Sequence, residues 1–275
     1  MEDRLVGFFN RYSFSAHMFY VGILCLSESF DDPAGGGHLH LIRRGTMTVL
    51  SPAHSPLEVS KPSLLFYPRP TSHRFVLESE RDVDLVCATL DLGGNSASPL
   101  AQALPAVLLL PLDELSGLSP TLELLFAEAR QQHCGRQVAI DRLFEYLLIQ
   151  VLRHVLDHQS NSVGLLAGLA DKRLARAITA MHNEPRHNWS LEALAQEAGM
   201  SRARFAVHFR ETMGSTPGAY LSQWRIGLTQ VLLKKGKSVG LVADEVGYGS
   251  AAALSRAFKA QLGLTPQAWK KSNYG

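Results

Sequence analysis

The chain has 275 residues, 46% hydrophobic, 19% charged and 8% aromatic, with a formal net charge of +2. That length holds one large or two ordinary domains, each able to bury a core, and a near-neutral, ordinarily apolar composition excludes an intrinsically disordered chain. No run of about 18 uncharged apolar residues occurs, so no spanning helix is expected, and Met1-Glu2-Asp3-Arg4 lacks the basic segment and apolar core of a secretory signal, which makes a cytoplasmic location the expectation.

The small net charge conceals two opposed parts. From residue 165 onward 15 Lys/Arg stand against 7 Asp/Glu, a net of +8, leaving 12 against 18, a net of −6, for residues 1–164. A basic module that meets a polyanion, joined to one that does not, accounts for this asymmetry. Three cysteines, Cys25, Cys87 and Cys134, are too few and too scattered for a disulfide framework; Cys134 is given no role.

In chain order, short apolar or alternating runs over 20–26, 39–50, 64–67, 73–77 and 83–92, each bounded by Gly, Pro, Asp or Ser clusters, predict strands of a small barrel or sandwich. No strand–helix alternation is present, which disfavours a doubly wound nucleotide-binding sheet. After Pro120 the period becomes helical: Leu122, Leu125, Phe126 and Ala129 form one stripe, and Val138, Leu143, Leu147, Leu148, Val151, Leu152 and Val155 another. The second stripe carries more apolar surface than one packed face needs, so it could pack on the barrel, against a second copy of the chain, or both, with residues 120–157 as the candidate contact of a homodimer. The polar, glycine-containing stretch 158–168 reads as a linker.

Beyond it the sequence repeats at a spacing of about 49 residues: Phe209-x4-Gly214-x-Thr216-Pro217-x-Ala219-Tyr220 returns as Phe258-x4-Gly263-x-Thr265-Pro266-x-Ala268-Trp269. Each copy follows a short helix with a small residue four before a glycine, Ala195 and Gly199, then Ala243 and Gly247, which is the requirement of a helix-turn-helix. Ser201 and Ser250 are placed to cap the next helix. Its solvent face carries Arg202, Arg204, Ala206, Val207 and Arg210 in the first unit and Ala251, Ala252, Ser255, Arg256 and Lys259 in the second. Arginines there can reach phosphates or guanine, and Ala or Val can meet thymine methyl groups. Residues 217–235 predict one intervening helix about 28 Å long, a strut able to set two recognition helices near the ~34 Å repeat of the major groove.

Residues from about Lys172 to Lys271 resemble the DNA-binding domain of the AraC/XylS transcription regulators, on the pattern Gly247-Tyr248-x-Ser250-x3-Leu254-Ser255-Arg256-x-Phe258-Lys259-x3-Gly263-x-Thr265-Pro266-x2-Trp269. The resemblance implies base contacts from Arg202, Ala203, Ala206 and Val207 and from Ala251, Ala252 and Arg256, double-stranded DNA as partner, and RNA polymerase beside it. Ahead of it, His40 on a predicted strand and His73 after the 68–72 turn resemble the cupin barrels that precede many such domains, in which histidines from two strands point into the barrel mouth.

Cys25 and Cys87 also fall on predicted strands, and with His40 and His73 they would make a Cys2His2 set suited to Zn2+. Ordinary buried cysteines and mouth histidines are the alternative reading. The intervals His40-x32-His73 and His73-x13-Cys87 resemble those of a reactive-chlorine-responsive activator of that family, which implies oxidant sensing through Cys25 and Cys87, by metal release or a disulfide. His38, two residues from His40 and on the same strand face, is the substitute ligand. The competing signal is a small organic effector in the barrel. A metal-dependent cupin enzyme is a third reading, disfavoured because Arg43-Arg44-Gly45 stands where catalytic cupins usually carry a Glu, so no enzymatic activity is expected.

The expectation is therefore an α+β chain of two domains: a cupin-like barrel over 1–112, a helical connector over 113–164, and an all-α double helix-turn-helix domain over 165–275, its units at about 190–213 and 238–262.

Overall fold

A computed structural model describes residues 3–31, 36–77, 82–93, 98–158 and 163–274. The chain divides into two compact units, one running Phe14–Val155 and the other made of 1–13 together with 156–275.

In the first unit the strands are β1 (Ser15–Leu24), β2 (Glu28–Phe30), β3 (Gly37–Arg44), β4 (Met47–Ser51), β5 (His54–Val59), β6 (Ser63–Tyr67), β7 (His73–Leu77), β8 (Val83–Asp91) and β9 (Leu108–Pro111). They form a five-stranded sheet, β1-β8-β3-β6-β9, and a four-stranded sheet, β2-β7-β4-β5. Every pair is antiparallel. Inward residues of both sheets share one core, including Leu24, Ile42, Val49, Leu65, Tyr67, Phe75, Leu85 and Cys87. The predicted run 39–50 is two strands, and β2, β5 and β9 add to the pattern read from sequence.

Two helices follow, α3 (Ser119–Arg130) and α4 (Arg136–His158), after a short α2 (Pro99–Ala103). The β1–β8 register slips between Met18 and Tyr20, and α4 satisfies the backbone there. Asp141 Oδ1 accepts from Met18 N at 2.9 Å, and Gln137 Nε2 donates to the Met18 carbonyl at 3.1 Å. The apolar stripe of α4 is used inside the chain: Ile140, Phe144, Leu147, Leu148, Val151, Leu152 and Val155 are all buried.

The second unit starts with α1 (Val6–Phe9) and resumes with α5 (Leu165–Ala170), α6 (Leu174–Asn183), α7 (Leu191–Glu197), α8 (Arg202–Met213), α9 (Pro217–Lys234), α10 (Val239–Val246), α11 (Ala251–Leu262) and α12 (Pro266–Tyr274). The expected linker 158–168 lies partly outside the described residues, but Leu165–Gly168 is buried helix. No described helix is long and apolar enough to cross a membrane.

Candidate functional site

The duplicated motif turns out to be joint chemistry. Gly214 and Gly263 end α8 and α11 in the left-handed region, at φ 70° and 75°. Thr216 and Thr265 then accept from the amides of Ala219 and Ala268, capping α9 and α12, with Pro217 and Pro266 at the first helical position. The repeated Gly-x-Thr-Pro therefore stops α8 or α11 and starts the next helix, a structural task that says nothing about a partner. The turn before α8 and before α11 needs its glycine for the same reason: Gly199 and Gly247 have φ 61° and 89°, and a Cβ on Gly247 would lie 2.7 Å from Arg186 Cα.

On α8, Phe205, Phe209 and Met213 are buried, while Arg202, Ala203, Arg204, Val207 and Arg210 are exposed and Ala206 half-buried. On α11, Leu254 and Phe258 are buried, Ala251, Ala252, Arg256 and Lys259 are exposed and Ser255 is half-buried. Each helix thus hides its i, i+4 aromatic or leucine pair and turns outward the face read from sequence. Ser250 caps α11 through Ala253 N at 3.1 Å, whereas Ser201 stands at the cap of α8 without a side-chain hydrogen bond. Among the remaining basic residues, Arg225 is structural: it donates to the carbonyls of Pro185 and His187 and lies over the Tyr248 ring.

In the other unit, β3 presents His38 and His40 on one strand face and β7 presents His73, all three buried, with ligand atoms within 4.8 Å of one another. His40 Nε2 lies 2.8 Å from His73 Nε2. Tyr67 and Phe30 both stack on the His73 ring, at 4.2 and 5.4 Å, and Phe19 packs against His38 and His40.

Donors and acceptors fix the protons. The Thr71 carbonyl accepts from His73 Nδ1 at 2.8 Å, so neutral His73 keeps its lone pair on Nε2. His40 then donates from Nε2 to His73, and its Nδ1 accepts the Cys87 thiol proton at 2.9 Å. Burial, and then the neighbouring imidazoles, hold His40 well below the usual histidine range; burial first also brings His73 down to about 4. Neutral imidazoles are the form that ligates a metal.

The four residues of the expected Cys2His2 set do not all meet. His40 and Cys87 are cross-strand partners on β3 and β8, so Cys87 backs His40 from outside the imidazole cluster. Cys25 is exposed and lies one residue past β1, where Leu24 pairs with Val83. It is five residues past Tyr20, the partner of Cys87, so at about 3.3 Å per residue its Cα is roughly 16 Å along β8 from Cys87, beyond the ~7 Å limit of a disulfide. His38 takes the place that Cys25 leaves, and the signal for it was the period-two spacing His38-x-His40. The Thr71 anchor had no sequence signal, because it is a backbone carbonyl.

The comparisons agree with this division. A family model described as cupin matches residues 3–157, and one described as helix-turn-helix domain matches residues 194–272. An AraC-like transcription regulator of Streptomyces antibioticus is 35% identical over 194 residues, 69% of this chain and 64% of that protein. This chain belongs to the AraC-like transcription regulators. The family member RclR of Escherichia coli K12, named as an RCS-specific transcriptional activator, is 27% identical over 256 residues, 90% of each chain. The DNA-binding domain of AdpA, solved with a target DNA, is 33% identical and covers 36% of this AraC-like chain and 89% of its own, at a TM-score of 0.35. These AraC-like relatives are named as transcription regulators, and the chain spans just under two thirds of the Streptomyces protein's length.

Proposed function

We propose that the protein binds double-stranded DNA sequence-specifically through α8 and α11, with RNA polymerase as its partner at a promoter, and that the cupin unit tunes this binding through a metal held by His38, His40 and His73. The observation that carries the first part is the pair of equivalent helices, each preceded by a serine, each stopped by a left-handed glycine and each turning an Arg-bearing face outward. Among the described residues, none of Arg202, Arg204, Arg210, Arg256 and Lys259 is taken up in an ion pair within the chain.

For the metal, the donor set fits: three buried imidazoles converge, two of them, His40 and His73, held neutral by burial, and the carbonyl of Thr71 orients His73 from behind. A set of three imidazole nitrogens suits Zn2+, which would supply Lewis acidity and fix the ring positions. If His40 held the metal through Nε2, its proton would move to Nδ1, and Cys87 Sγ would turn from donor to acceptor. That ties the state of Cys87 to occupancy of the site without making it a ligand.

An oxidant reading rests on Cys25 and Cys87. The exposed Cys25 thiol is what an oxidant meets first, although the neighbouring Asp82 raises its pKa, and burial raises that of Cys87 well above the ordinary thiol. Oxidation at Cys87 therefore requires the cluster to open. The alternative effector, a small organic molecule, has one feature in its favour: a cleft of about 340 Å3 whose lining includes His73, Arg74, Asp31 and Ser51. A homodimer through 120–157 would rest on Leu124, Val138 and Tyr146, the exposed large apolar residues of α3 and α4.

The deciding experiment is selection of duplexes from a random-sequence library by the intact protein, with and without zinc. Recovery of one sequence family, changed in yield by zinc, supports the proposal. Sequence-independent recovery defeats the reader; indifference to zinc, with no zinc in the purified protein, defeats the metal.

A further inference from the structure

The cupin match begins at residue 3, yet residues 3–13 pack with the helix-turn-helix unit. Leu5, Phe8 and Tyr12 are buried there, at 6%, 2% and 1% exposure. Phe8 and Tyr12 stack on each other at 4.7 Å, and Tyr12 lies 5.2 Å from Trp224 of α9. Trp224 stacks on His182 of α6 at 3.7 Å, His182 Nε2 is 2.6 Å from Tyr220 Oη, and Tyr220 meets Phe209 of α8 at 5.9 Å. One aromatic series thus runs from the N-terminal segment to the buried face of the first recognition helix.

The approach is close by construction. A Cβ on Gly7 would lie 2.8 Å from both His182 Cβ and Asn183 Oδ1, so only glycine lets α1 lie on α6. Arg4 donates to the Leu169 carbonyl at 3.0 Å and Arg11 to the Asn183 carbonyl at 2.7 Å, the latter at the end of α6. Against this, Tyr12 Oη, His182 Nδ1 and Trp224 Nε1 are buried without a hydrogen-bond partner. Each of those polar atoms regains water if the segment leaves, which offsets part of the apolar burial. The segment is therefore held by a smaller margin than its buried rings suggest.

We propose that residues 3–13 are a detachable component of the DNA-binding domain: docked, they complete the core between α6 and α9 behind α8 and hold the reader in its binding shape. The DNA part of this rests on the function proposed above. The partner surface is the face formed by His182, Asn183 and Trp224, and its occupant is the chain's own N-terminus, one residue before β1 begins.

The test uses the full chain, a Gly7→Val variant, and a duplex selected by the intact protein. Amide exchange in α6 and α9 should rise at least ten-fold in Gly7→Val while β3 and β8 are unchanged, and affinity for the duplex should fall at least ten-fold. Exchange in α6 and α9 within two-fold of the parent overturns the proposal. If the intact protein selects no duplex, the DNA-binding reading fails and the exchange comparison still decides the docking. Should Gly7→Val not fold, a protease site placed between Ser13 and Phe14 replaces it. Release of the cleaved segment with loss of affinity supports the proposal; its retention through chromatography, or release with affinity unchanged, overturns it.

Discussion

His40 and Cys87 face each other as a cross-strand pair, Nδ1 2.9 Å from Sγ, with both side chains closed off from solvent. Because His40 uses its other nitrogen toward His73, a change at Cys87 reaches the imidazole cluster through one ring.

Zinc affinity separates the roles of the two thiols. Cys87→Ala should weaken it about 10–100-fold, the usual consequence of removing the outer partner of a ligand histidine, His73→Ala should abolish it, and Cys25→Ser should leave it unchanged. Competition with a chromogenic chelator reads all three; equal losses for Cys25→Ser and Cys87→Ala would restore the four-residue site.

Burial lowers His182 to about 3, below the ordinary histidine value of an unfolded chain near 6.5. Between those values the unfolded chain holds a proton that the folded one does not, so stability falls as pH falls from about 6.5 toward 3, by at most ~1.4 kcal/mol per pH unit for this group, and above 6.5 the group contributes no slope. Urea unfolding at pH 7, 6 and 5 should show the loss, and a fold-competent His182→Gln variant should show a shallower one.

The caps give an internal comparison. Ser250→Ala should cost about 0.5–2 kcal/mol, since its hydroxyl satisfies an α11 amide, and Ser201→Ala clearly less, since its hydroxyl makes no such bond. Equal costs in denaturant unfolding would contradict the difference between the two units.

Arg256→Ala should cost about 1–3 kcal/mol on the selected duplex and relax base preference at one position, with affinity falling steeply with salt in both proteins. A uniform loss over all sequences, with a shallower salt slope, would reassign Arg256 to a phosphate.

Much of this was legible because the duplication is written in residues with one conformational meaning each: glycine at a left-handed stop, threonine and proline at a helix start. The strands with clean apolar runs, such as β6 and β8, were legible for the same reason. β5 was not, because Ser55, Pro56 and Glu58 are exposed and break the alternation, nor was α1, whose four residues carry no period. α5 resembled a linker because glycines and polar residues surround Leu165, Leu166 and Leu169, which only tertiary packing shows to be buried. Cys25 failed as a ligand over register: sequence gave its strand but not where the strand stops, and the two ends of β1 face different parts of β8.

The placement of residues 3–13 also governs how this protein can be rebuilt. Its sensor is an insertion, entered after Ser13 and left near Val155, rather than a module on the end of a reader. A hybrid that grafts a foreign sensor at a single seam near residue 160 would discard Phe8 and Tyr12 along with the old barrel. Two seams, keeping the first thirteen residues with the reader, are the way to exchange the input.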